Sequence, residues 1–172
     1  MAVKPILLLG HPGLRVRCRR VTSFGRDLAA LAGDLHDTLV EFRRVHGFGR
    51  AIAAPQIGVP LRVVVVVGDP PMVLVNPVLR SKSRARMTLW DDCFSFPGLM
   101  VRVRRHLTVT VDYRDAQGVA RELMVTGPLS ELLQHELDHL DGVLAVDRAL
   151  DARSLMLRAE FDRQKLAPGA AL

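Results

Sequence analysis

The chain has 172 residues and a formal net charge of +6, with 49% apolar and 24% charged residues. This length and composition predict one globular domain over residues 1–172 and exclude a fibrous or disordered chain. The apolar runs at 6–9 and 63–67 are much shorter than the ~20 residues that a membrane-spanning helix needs. The first residues also lack the apolar centre of a secretory signal, so we expect a cytoplasmic protein without membrane contact.

The positive charge of the chain would suit a polyanionic partner. Its arginines are scattered, however, and the sequence contains no basic stripe interleaved with aromatic residues and no known nucleic-acid-binding motif. A solvated basic surface is therefore the favoured interpretation, and we expect no direct DNA binding.

The first half of the chain predicts one helix followed by strands. Residues 27–45 carry apolar residues at spacings of three and four, which is typical of an amphipathic helix, and glycines at 47 and 49 end it. Residues 61–67 are mostly β-branched and predict a strand that is buried on both faces. A further strand is predicted at 72–75.

The second half predicts a hairpin and two helices. Residues 101–111 and 119–125 flank a turn at 115–118, and this arrangement predicts a mostly antiparallel sheet. Ser130 is expected to cap a helix that ends at Asp141 and Gly142 and that is apolar on more than one face. A last amphipathic helix is predicted at 151–166, before a tail of small residues at 167–172. Repeats, linkers and a second domain are absent from the sequence pattern.

The second predicted helix carries a metal-binding pattern. His135 and His139 are four residues apart, so both imidazoles project from one face and can bind one ion. Glu136 lies next to this pair and can act as a general base and then a general acid toward a water molecule. The same spacing can arise by chance on a surface helix. This helix is too apolar for full exposure, and buried charged groups favour a bound cation.

A catalytic metal site needs a third protein ligand and an open coordination position. No histidine follows His139 in the sequence, so the downstream ligand of many zinc peptidases is missing. Cys93 is the best remaining donor, whereas Cys18 has no candidate functional neighbours. Both cysteines are expected to be free thiols. One cysteine and two histidines suit Fe(II), Zn(II), Ni(II) or Co(II).

Three segments of the chain resemble the peptide deformylase family, in the order in which that family has them. They are GRAIAAPQIG at 49–58, DDCFS at 91–95 and QHELDHL at 134–140, where the family usually has GxGLAAPQIG, EGCLS and QHExDHL. Together they are highly specific, and the resemblance covers nearly the whole chain. It implies an α+β fold in which mostly antiparallel β-sheets surround a central metal-binding helix, with N-terminal and C-terminal helices.

The resemblance also implies a reaction, which is the metal-dependent removal of the formyl group from N-formylmethionine of nascent polypeptides. One divalent ion, commonly Fe(II), is implied, and the partner is an N-formylated nascent peptide. Family analogy further suggests contact with the ribosome, for which the final helix is a candidate surface. By position, the resemblance assigns Cys93, His135 and His139 as metal ligands, Glu136 as the proton-transfer residue, and Gln56 with the backbone N–H of Phe94 as oxyanion donors.

The chain departs from the family pattern beside the substrate path. Asp91 replaces the usual Glu and is expected to pair with an arginine such as Arg105. Asp92 replaces a Gly next to the cysteine ligand. Ala51 replaces another Gly, and Arg50 before it makes the adjoining substrate edge bulkier and more basic.

We therefore predict a substrate-binding set in which side-chain size and charge differ from the usual pattern. Its members are Arg50, Ala51, Asp92 and Leu132, and Glu131 is expected to add a charge to the side-chain pocket. Two alternatives stay open at this point. One is a deformylase-like paralogue that acts on another N-formyl compound, and the other is a metal-binding module without turnover.

Overall fold

A computed structural model describes residues 2–165 of the chain. Within these residues the fold is α+β, with three α-helices and eight strands. The helices are α1 (Arg26–His46), α2 (Pro128–Leu140) and α3 (Arg158–Lys165). No helix in this part of the chain has both the length and the apolar character needed to cross a bilayer.

The strands form two antiparallel sheets, as the sequence pattern predicts. The larger sheet has the order β1-β2-β3-β6-β7, and the smaller sheet has the order β4-β5-β8. The strands are β1 (Ala51–Ala53), β2 (Val63–Val66), β3 (Met72–Lys82), β4 (Arg86–Asp92), β5 (Leu99–His106), β6 (Thr108–Arg114), β7 (Ala120–Thr126) and β8 (Leu155–Leu157).

Strand β2 is buried on both faces, as its run of valines predicts. Because side chains alternate along a strand, its residues join two different cores. Val64 and Val66 belong to a core cluster that includes apolar residues of α2, whereas Val63 and Val65 belong to a cluster that includes the buried face of α1. The larger sheet is therefore covered by α1 on one face and by α2 on the other.

Helix α1 agrees with the predicted segment to within one residue at each end. Its buried side chains recur at helical spacing, and Gly47 ends it in the left-handed conformation with φ 76°. The buried positions are Leu28, Leu35, Thr38, Leu39 and Phe42.

Helix α2 is buried over most of its length and packs against β1 and β7 of the larger sheet and β5 of the smaller one. Gln134 fixes it to the end of β5, because its Oε1 accepts from the backbone N–H of His106 at 2.9 Å and its Nε2 donates to the carbonyl of His106 at 2.9 Å. The predicted cap at Ser130 is wrong. The helix begins at Pro128, since proline suits the first helical position, and the Ser130 hydroxyl donates to the His106 carbonyl instead.

The predicted strand over 101–111 is two strands in different sheets. The division falls at Leu107, whose N–H donates to Ala85 and whose carbonyl accepts from Gly127. Only β6 pairs with β7 across the predicted turn, while β5 pairs with β4. The alternating pattern runs through Leu107 without a turn residue, so the change of sheet has no local signal.

The predicted final helix over 151–166 is also wrong in its first part. Residues 155–157 form β8, which pairs with residues 99–101 of β5, and helix α3 begins only at Arg158. Here pairing with another strand overrides the local preference for helix. Leu166 and the predicted tail lie outside the described residues.

Two strands of the structure, β1 and β4, are not among the elements predicted from the sequence.

Candidate metal centre and active site

Three candidate metal ligands converge in a buried position. Cys93 follows the end of β4, and His135 and His139 project from α2. The Cys93 Sγ lies 3.2 Å from Nε2 of His139, which lies 3.1 Å from Nε2 of His135, and all three atoms are within 4.8 Å of one another. Donors that share one tetrahedral ion through bonds of about 2.0–2.3 Å stand roughly 3.4–3.6 Å apart. The three side chains therefore fit a single divalent ion.

The sulfur of Cys93 accepts two hydrogen bonds from neighbouring groups. The backbone N–H of Ser95 donates to Sγ at 3.4 Å, and the side-chain amide of Gln56 donates to it at 3.6 Å. Both donors therefore point at the atom that would bind a metal ion.

Gln56 is almost fully buried, and its orientation follows from its contacts. Its Oε1 accepts from the backbone N–H of Ala53 at 2.9 Å, so its NH₂ group is the part that faces Cys93. Among residues 2–165, the backbone N–H of Phe94 has no protein acceptor. Two N–H donor groups are thus present beside the candidate ligands.

Glu136 is buried beside the histidines, and its Oε2 has no hydrogen-bond partner among the described residues. Burial, opposed by the neighbouring His135 and reinforced by Asp91, raises the pKa of Glu136 to about 7. A carboxylate with a pKa near neutrality can both accept and return a proton.

Asp91 orients one of the candidate ligands. Its two carboxylate oxygens lie 2.9 and 3.0 Å from Nδ1 of His135, which leaves Nε2 of that ring to the metal centre. Arg105 pairs with Asp91 at 3.1 Å, as the sequence suggests. Although burial favours the neutral acid, His135 and Arg105 hold the pKa of Asp91 below its ordinary value. Sequence reasoning missed the contact with His135; the signal was an acidic residue two positions before the candidate cysteine.

The Asp91→Asn variant should bind the metal about 10- to 100-fold more weakly, because an amide cannot hold the His135 ring as a carboxylate does. Competition with a chromogenic chelator measures this affinity. Asp92→Asn is the matched control, since the Asp92 carboxylate pairs with Arg158 at 2.7 Å instead of a candidate ligand. Equal metal affinities in the two variants would show that Asp91 does not support the site.

A cavity of about 380 Å³ lies beside the candidate ligands and includes Gln56, Cys93, His135 and Glu136 in its wall. The four predicted substrate-binding residues also line it: Arg50, Ala51, Asp92 and Leu132. The fold thus brings together residues from three segments that are distant in sequence, at 47–56, 90–94 and 131–136.

Two ion pairs on this cavity were not predicted from sequence. Arg50 Nη2 lies 2.6 Å from Oε2 of Glu131, and Arg158 pairs with Asp92. Arg158 also lies 3.8 Å from the centre of the Phe48 ring. The charge of Asp92 is therefore compensated from α3, which no local pattern indicates.

Gly49 allows the ring of Phe94 to approach the backbone of the first motif. Its φ is +123°, and a Cβ placed there would stand 2.4 Å from the Phe94 ring. The same ring stacks on Phe42 with centroids 3.8 Å apart. Glycine at this position thus allows the loop that carries Cys93 to pack against α1.

An α+β fold with one cysteine, two helical histidines and an adjacent glutamate defines the class of mononuclear metallohydrolases. The family model described as polypeptide deformylase matches residues 3–154. The chain belongs to the peptide deformylase family.

Individual relatives agree with this assignment. The chain is 35% identical over 169 residues to a peptide deformylase of Brucella suis biovar 1 (strain 1330), covering 95% of this chain and 94% of that protein. It is 41% identical over 150 residues to a peptide deformylase of Parafrankia sp. (strain EAN1pec), covering 86% of this chain and 79% of that protein. A crystal structure of a peptide deformylase from Legionella pneumophila superposes with a TM-score of 0.81 at 34% identity, over 97% of this chain and 100% of that one.

The family removes the formyl group from N-formylmethionine of nascent polypeptides. The chain is accordingly a metal-dependent hydrolase of the formyl amide bond.

Proposed function

We propose that this chain hydrolyses N-formyl peptides at the site formed by Cys93, His135, His139 and Glu136. The observation that carries the proposal is the convergence of three buried donor atoms within 4.8 Å of one another, beside the carboxylate of Glu136. These residues come from the segment after β4 and from α2, so the arrangement depends on the fold and not on one local motif.

The three ligands would hold one divalent ion, which supplies Lewis acidity that polarises the formyl oxygen and lowers the pKa of water toward neutrality. Glu136 accepts the proton of the attacking water through its unpartnered Oε2. After attack on the formyl carbon, Glu136 returns this proton to the nitrogen of the departing amine. Formate and a free amino terminus are the products.

Gln56 and Phe94 stabilise the negative charge that develops on the formyl oxygen. The Gln56 NH₂ group is held in place because its Oε1 is already bound to the backbone of Ala53. The Phe94 backbone N–H has no protein acceptor in the described part of the chain and is available to the substrate. Fixed donors of this kind typically contribute about 10²–10³ in rate.

Arg50, Ala51, Asp92 and Leu132 contact the substrate in this proposal, since all four line the cavity that contains the candidate ligands. Ala51 and Leu132 supply apolar surface. Arg50 and Asp92 carry charges that are paired with Glu131 and Arg158, so they act on the substrate as polar groups within ion pairs.

The direct test is an assay of formate release from formyl-Met-Ala-Ser by protein purified without oxygen and analysed for metal. We expect turnover that follows metal content and stops on chelation. Turnover confined to other N-formyl compounds would identify a paralogue with a different substrate, and metal binding without any turnover would indicate a non-catalytic module.

Fe(II) is the ion that we propose for the cell, and the thiolate–imidazole donor set is compatible with it. Air should inactivate the Fe(II) form by oxidising the ion or Cys93, whereas Ni(II) or Co(II) forms should last longer. Activity is followed over time with and without oxygen for each ion. Equal lifetimes of the Fe(II) and Ni(II) forms in air would contradict an oxygen-labile iron site.

The remaining proposals concern the setting of the reaction. We infer a cytoplasmic location, because N-formylated nascent polypeptides are made there, and a single domain over residues 1–172. Family analogy supports contact with the ribosome, and the net charge of +6 is compatible with it.

A further inference from the structure

The cavity beside the candidate metal centre has a buried charge in its wall. Glu131 lies one helical turn before His135 on α2 and is 4% exposed, and it lines the same cavity as Glu136 and Gln56. A substrate side chain that enters this cavity therefore meets Glu131.

One oxygen of this carboxylate has a partner and the other does not. Oε2 accepts from Arg50 at 2.6 Å, while Oε1 has no donor among residues 2–165. Arg50 directs its other terminal nitrogen to the carbonyl of Pro128 at 2.9 Å. The neighbouring Asp91 is itself an acceptor, bound to His135 and Arg105, and cannot supply a donor.

A substrate side chain that fills this cavity removes water from Glu131. An apolar side chain leaves Oε1 buried and unpaired, whereas a side chain with an N–H or O–H group replaces the lost water contact. Discrimination of this kind between otherwise similar ligands is on the order of 10-fold or more.

We propose that Glu131, held by Arg50, accepts a hydrogen bond from the first side chain of the substrate. The site therefore favours N-formyl substrates whose first side chain carries an N–H or O–H donor over apolar substrates of the same shape. This inference rests on the proposed function and specifies its substrate class.

The test compares formyl-Gln-Ala-Ser with formyl-norleucine-Ala-Ser, whose first side chains are similar in length. The ratio of their kcat/KM values should fall about 10-fold in Glu131→Leu. Formyl-Met-Ala-Ser should behave like the norleucine peptide, since its sulfur donates no hydrogen bond. The affinities of the deformylated products Gln-Ala-Ser and norleucine-Ala-Ser, measured by calorimetry, should change in the same direction.

Arg50→Leu is expected to act in the opposite direction. It frees Oε2 of Glu131 as a second acceptor, so the preference for formyl-Lys-Ala-Ser over the norleucine peptide should rise. Glu41→Leu is the matched control, because Glu41 belongs to an exposed ion pair with Arg44 on α1, and it should leave every ratio unchanged.

The outcomes separate this inference from the proposed function. If the metal-loaded wild type hydrolyses none of the formyl peptides, the proposed function fails. If it hydrolyses them and the glutamine-to-norleucine ratio is the same in wild type and Glu131→Leu, the role of Glu131 is overturned alone. If Glu131→Leu does not fold, a lysine-to-norleucine ratio in Arg50→Leu that stays equal or falls overturns it.

Discussion

In the Glu136→Gln variant, kcat should fall by a factor of about 10²–10⁴, which is the contribution typical of general acid–base catalysis. Glutamine keeps the shape of the side chain but cannot accept a proton from water. The three candidate ligands are unchanged, so the metal content should stay at one ion per chain. Formate release and metal analysis on the same preparation measure both quantities.

Glu160→Gln is the matched control for this variant, because Glu160 makes an exposed ion pair with Arg163 on α3. It should keep wild-type kcat. Near wild-type turnover in Glu136→Gln would require another proton-transfer group, and loss of metal in that variant would mean that Glu136 supports the site and not only the reaction.

The Cys93→Ala variant should bind the metal so weakly that dialysis removes it, and activity should disappear with it. Only the two imidazoles would remain as ligands, because the substitution removes the sulfur, which is the one anionic donor. Metal analysis after dialysis gives the result directly. The thermal midpoint of the wild type should also fall on chelation, because an ion that binds only the folded state stabilises it.

Cys18→Ala provides the control, since Cys18 is the other buried free cysteine. Burial raises the pKa of Cys18 to about 11, so its thiol stays protonated and does not compete for the ion. This variant should keep full metal content. Full occupancy in Cys93→Ala would show that the third ligand lies elsewhere.

Both predictions depend on the attachment of α2 to the rest of the fold. Gln134 bonds to the backbone of His106, and Asp138 pairs with the buried Arg105. These contacts join the histidine-bearing helix to β5, which itself pairs with the strand that leads to Cys93. The distance between Cys93 and the histidines is therefore set by strand pairing and by side chains outside the metal centre.

Several features of the fold depend only on local spacing and could be predicted from the sequence. The helical period over α1, the buried run of valines in β2 and the turn at 115–118 are properties of neighbouring residues, and the structure confirms all three. The spacing of His135, Glu136 and His139 likewise predicts which side chains share one face of α2. Elimination and family resemblance predict Cys93 as the third ligand, and its Sγ lies 3.2 Å from Nε2 of His139.

The contacts between distant segments could not be predicted from the sequence, because they depend on how the chain folds. The bond from Asp91 to His135 spans 44 positions, and the bond from Arg50 to Glu131 spans 81. Residues 155–157 are a strand only because β5 offers them an edge. Local spacing specifies which face of an element a side chain occupies, but the partner across that face depends on how the elements pack. The orientation of the candidate metal ligands and the charge of the cavity beside them are therefore properties of the folded chain.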